Sequence, residues 1–134
     1  MGTVNRTPLR VLIILTPPLD STTGGVQMST VKIARMLRTY GHDVAVFSFA
    51  EAGHVVPEGV SMFSATTHGT VENQENLKAL RACIETYEPT VVINQMPYEH
   101  AIGDVIRDSS EAPRIACLRN SLFSVVNNLD TYAR

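Results

Sequence analysis

The sequence predicts an α/β fold in which a doubly wound, mainly parallel sheet carries helices on both faces, a Rossmann-like arrangement. Three observations lead there. The run "VLIIL", Val11 to Leu15, is apolar without alternation, as in a strand covered on both sides. Strand-like and helix-like periodicities then alternate from one end of the chain to the other. Finally, Gly24 and Gly25 punctuate the passage from the first strand to the first helix.

After the first strand, Ile33, Ala34, Leu37 and Tyr40 recur at helical spacing between Gln27 and Tyr40, with Lys32, Arg35 and Thr39 on the opposite face. Gly41 stands where a C-terminal cap belongs. "DVAVFSF" reads as a second strand and "VSMF" as a short third one, separated by the Gly/Pro-punctuated loop "AEAGHVVPEG". Leu77, Leu80, Ile84 and Tyr87 mark a second helix between Val71 and Tyr87, ended by Glu88-Pro89. "TVVINQ" is a fourth strand, "YEHAIGDVIRDS" a third helix with Ala101, Ile102, Val105 and Ile106 inward, and "RIACL" a fifth strand. The tail "SLFSVVNNLDTYAR" reads as the start of a further helix. Parallel strands joined by such helices need crossovers, which are right-handed in nearly all proteins.

At 134 residues and 44% hydrophobic, the chain is the size of one domain with a sizeable core, and residues 1–134 are read as a single unit. Eleven basic against thirteen acidic residues provide no field to recruit nucleic acid or an anionic membrane. Cys83 and Cys117 are too far apart for a C-x-x-C site and read as buried apolar residues of a reducing compartment. "VLIIL" falls far short of the roughly 20 residues that span a bilayer, and the N-terminus has no apolar export core. A cytoplasmic location is the expectation, with the full-length protein able to sit peripherally on a membrane.

Ligands of open α/β sheets bind outside the carboxyl ends of the strands, where a helix N-terminus offers free N–H groups and a positive dipole end. Without a Cβ, Gly24 and Gly25 let the chain turn sharply and let an oxyanion approach the backbone. The same residues also fit a plain strand-to-helix turn capped by the hydroxyls of Ser21, Thr22 and Thr23. The pattern is neither G-x-G-x-x-G nor a P-loop, and no acidic residue closes the second strand to hold a ribose, so bound NAD is disfavoured. Asn94 and Gln95 end the fourth strand, where ligand contacts are expected, yet amides there also satisfy loop backbone. His42, His54, His68 and His100 lack metal-ligand spacing; His100, on a helix near the crevice, is the one worth testing.

"RVLIILTPPLDSTTGGVQMSTVKIARMLRTYGHDVAVFS" resembles the N-terminal signature of the GT-B glycosyltransferases of family 4: a strand, a Gly-Gly-x-Glu/Gln turn, a helix, then a Gly-His-x-Val-x-Val strand. "YEPTVVINQ" is similar to that family's next strand, with Thr90 in place of its Asp. The resemblance runs from Leu9 to Asn120. It implies a retaining, two-domain enzyme of which this chain is the N-terminal, acceptor-side half. The C-terminal domain, absent from this chain, would bind the nucleotide-sugar donor. The acceptor would be a glycan, a lipid-linked sugar or a small molecule. Gly24, Gly25, Val26 and Gln27 would face the donor diphosphate, and Asn94, Gln95, His100, Arg119 and Asn120 the acceptor. Arg119 stands where many relatives carry a His, and being permanently protonated it would bind an anion rather than act as a base. No cofactor beyond the substrate and no essential metal are expected, and the catalytic residues stay unassigned. The uncovered face of a missing domain would favour weak self-association. The other readings are a stand-alone anion-binding or regulatory module, or another GT-B enzyme such as a sugar-nucleotide epimerase.

Overall fold

A computed structural model describes residues 8–19, 25–50, 52–65, 71 and 73–117. They form β1 (Arg10–Leu15), α1 (Gly25–Thr39), β2 (Asp43–Ser48), β3 (Ser61–Ser64), α2 (Gln74–Tyr87), β4 (Val91–Asn94), α3 (His100–Ser109) and β5 (Arg114–Ala116). The five strands make one parallel sheet in the order β3-β2-β1-β4-β5. The chain thus winds outward from β1 to β3, and α2 returns it to the other side of β1.

Register explains the burial. Val11 pairs with Val44 and Val91, and Ile13 with Val46 and Ile93, so these residues share one face. Val31 and Ala34 of α1 cover that face. On the other, Leu12, Ile14, Ala45, Phe47 and Val92 meet Leu80 and Ile84 of α2 and Ile102 and Ile106 of α3. A central strand covered on both sides needs apolar residues at every position, which is why "VLIIL" does not alternate.

The element boundaries differ from expectation in ways that have local causes. Helix α1 begins at Gly25, two residues before Gln27, and ends at Thr39. Tyr40 is 74% exposed rather than on the inward face. Gly41, at φ 87°, turns the chain out, with the His42 N–H donating to the Leu37 carbonyl as in a Schellman cap. Helix α2 begins at Gln74 rather than Val71, because Asn73 Oδ1 accepts from the N–H groups of Glu75 at 2.9 Å and Asn76 at 3.4 Å. Strand β5 spans three residues instead of five, and its Ile115 is 50% exposed. Leu118 and the tail that follows lie outside the described residues.

Helix α2 stops at Glu88, which holds a left-handed φ of 53° immediately before Pro89. A residue with a Cβ is disfavoured there. Glu88→Gly is expected to raise stability by about 0.5–1 kcal/mol, read as a thermal midpoint a few degrees higher. An unchanged or lower midpoint would show that the cap carries no strain.

The amino edge of the sheet is held by Arg10. Its guanidinium donates to the Tyr87 carbonyl and to Asp43, at 2.8 Å, and lies over the Tyr87 ring 4.3 Å from the centroid. Burial, and then the charge of Asp43, push the Tyr87 phenol up to about 12 against the opposing pull of Arg10.

Candidate functional site

The winding direction reverses between β1 and β4, the switch point at whose carboxyl ends ligands of open α/β sheets bind. Two helices begin beside it: α1 at Gly25, and α3 at His100. Neither has an acidic residue in its first turn, though Glu99 stands at the N-cap of α3.

Gly25 is the first residue of α1 and is exposed. Its φ is not positive, and among the described residues outside its own helix turn a Cβ built on it would meet no atom within 4 Å. The described residues thus make no steric demand for glycine at this position. Gly25 is where the passage from β1 enters α1. Gly24 and the hydroxyls of Ser21, Thr22 and Thr23 lie outside the described residues.

The remaining sequence-selected residues separate by position. Val26 packs against the α1-side core, and its carbonyl accepts from Thr30 Oγ1 at 2.8 Å. Gln27 is half-buried on the first turn of α1. Asn94 Oδ1 accepts from the Met96 N–H at 2.9 Å and so shapes the turn that leaves β4. Gln95 is only 1% exposed, and its Nε2 donates to Thr30 Oγ1 at 3.1 Å. Its side chain thus points into the protein and ties β4 to α1, rather than facing an acceptor. His100, half-buried, opens α3 behind Glu99, whose side chain makes no cap bond. Arg119 and Asn120 lie outside the described residues.

Thr30 is the residue that periodicity overlooked. A threonine on the inward face of a helix reads as filler, and only the buried amide across from it reveals its role. Gln95→Leu keeps the volume but strands the partners of a buried amide, and should cost about 1–3 kcal/mol in denaturant unfolding. A cost below about 0.5 kcal/mol would mean that the tie does not hold α1.

The two cysteines differ in their surroundings, Cys83 buried and Cys117 half-buried. Burial pushes the Cys83 thiol up to about 12, so it stays protonated among the α2 contacts. Cys83 and Cys117 are both free, and they belong to opposite faces of the sheet. Among the described residues no cluster of three or more His, Cys, Asp or Glu could hold a metal ion, and no helix is long and apolar enough to cross a membrane.

No family model matches the chain, and no curated protein matches it. Among solved structures it is similar to a proposed NAD-dependent epimerase/dehydratase from Methylobacillus flagellatus, at 16% identity and a TM-score of 0.48, over 77% of this chain and 34% of that one. It is also similar to a UDP-galactose 4-epimerase, at 12% identity and a TM-score of 0.34, over 65% of this chain and 37% of that one. The chain thus spans about a third of either length, 34% and 37%. Likeness at this level concerns the course of the backbone and assigns no role to any residue.

Proposed function

We infer that this chain is the acceptor-side N-terminal domain of a retaining GT-B glycosyltransferase of family 4. The observation that carries the reading is Gly25: an exposed glycine whose Cβ position is free of the other described residues outside its own helix, at the start of a helix whose first turn lacks acid, beside the sheet's switch point. A diphosphate oxygen approaching that turn would accept from its backbone N–H groups and meet no side chain on residue 25. The resemblance of the Gly-Gly turn and the Gly-His strand to the family supplies the substrate class, a nucleotide-sugar. A C-terminal domain would hold the nucleotide, leaving the carboxyl ends of β4 and β5 and the start of α3, with His100, to the acceptor. Arg119 and Asn120 follow β5 and would serve the same side.

The same open helix start would also serve a stand-alone anion-binding module. An NAD-dependent epimerase is less well served, because β2 ends on Ser48, whose hydroxyl is already bonded to the Pro17 carbonyl at 2.6 Å and to the Ala50 N–H at 3.0 Å. A donor-hydrolysis screen of the full-length protein with UDP-, GDP- and ADP-sugars tests the reading. One nucleotide class is expected to be hydrolysed. The 134-residue chain alone should turn over none, since the reacting atoms would lie between two domains. Turnover by the isolated chain, or inertness of the full-length protein towards every donor, would overturn the reading.

A further inference from the structure

We propose that His54 is a protonation-sensitive latch on the segment that feeds the start of α1. The segment 16–19 after β1 lies against the loop after β2, and the two are strapped together by hydrogen bonds. Ser48 Oγ donates to the Pro17 carbonyl at 2.6 Å, and the Val55 N–H donates to the Leu19 carbonyl at 2.6 Å. His54 closes the strap with both ring nitrogens. Its Nδ1 accepts from the Leu19 N–H at 3.1 Å, and its Nε2 lies 3.0 Å from the Ala50 carbonyl.

These two contacts fix the ring's chemistry. A carbonyl can only accept, so Nε2 carries the proton; a backbone N–H can only donate, so Nδ1 carries the lone pair. The ring is therefore neutral in this arrangement. A proton taken from solvent binds at Nδ1 through the lone pair that holds the Leu19 N–H, and two donors then face each other. The bond to Ala50 survives, while the Leu19 amide loses its acceptor. That loss matters because the Leu19 side chain is fully buried, with 0% exposure, and is the last described anchor before α1. Gly53, at the left-handed φ of 89° and packed beside Pro18, is what folds His54 back onto the segment. Ser48 does not titrate, so acid loosens one end of the strap and leaves the other.

Among the described residues no acidic or basic side chain pairs with the ring; its partners on both sides are backbone groups. The latch concerns the strap and not its ligand, so its failure would leave the glycosyltransferase reading untouched.

The test follows two signals in the ¹⁵N-labelled 134-residue chain between pH 8 and pH 5: the ring nitrogens of His54, and the exchange protection of the Leu19 amide. At pH 8 the ring should be the Nε2–H tautomer. On acidification, Leu19 protection, corrected for intrinsic exchange, should fall roughly tenfold or more with the midpoint of the His54 transition, while Val46 in β2 keeps its protection. In His54→Phe, Leu19 should be poorly protected at every pH. An Nδ1–H tautomer at pH 8, or Leu19 protection that persists through the His54 transition, would overturn the proposal. These wild-type signals decide it even if His54→Phe does not fold.

Discussion

Gly25→Val in the full-length protein is expected to lower catalytic efficiency with the nucleotide-sugar by roughly one to two orders of magnitude, with the thermal midpoint nearly unchanged. The magnitude is that of one lost charge-assisted hydrogen bond to a phosphate oxygen, about 1.5–3 kcal/mol. The valine methyl groups would stand over the first-turn N–H groups and hold an oxyanion away from them. Stability should not follow, because among the described residues beyond its own helix turn no atom lies within 4 Å of the added Cβ, and the backbone at Gly25 is not left-handed. Valine is also no worse a helix former than glycine. Initial-rate kinetics beside a thermal melt separate the two effects. Normal turnover by a folded Gly25→Val protein would remove the phosphate from this position.

Phe47→Ala is expected to cost about 3 kcal/mol, near the lower end of the range for deleting a buried aromatic ring. Phe47 is 1% exposed, and its ring meets Phe49 edge-on with centroids 5.1 Å apart. It pairs in register with Ile14 of β1 and Phe63 of β3, so it joins three strands beneath α2. The lower end applies because a cavity of about 240 Å³, lined also by Phe63, Ala79 and Cys83, already borders the ring. Against a total stability of about 5–15 kcal/mol for an ordinary domain, this loss should displace the denaturant midpoint substantially. Phe47→Leu should recover about half of it. Equal midpoints for the wild type and Phe47→Ala would mean that α2 is not held to the sheet by this ring.

Local patterns in the sequence determine the order and type of the elements. The unbroken apolar run of β1, the inward spacing of Leu80 and Ile84, and the positions of Gly41 and Pro89 all act within a few residues of themselves. Sterics, capping and side-chain period decide such features before any long-range contact forms. Fold class followed from them, because alternating strands and helices leave few ways to cover both faces of a sheet. The site was only partly legible. Sequence placed Gly25 and Gln95 at the ends of elements, but tertiary structure decided that the first is exposed at the start of α1 and the second turned inward. Gln95 meets Thr30 across 65 positions of chain, and His54 meets Leu19 across 35. Such pairs exist only once strand order and register have brought distant loops to one edge, and no local period records them. A glutamine at a strand end and a histidine in a Gly-containing loop look alike whether they face a ligand or bind backbone. The direction of the side chain distinguishes these cases, and the packing of the whole sheet sets that direction.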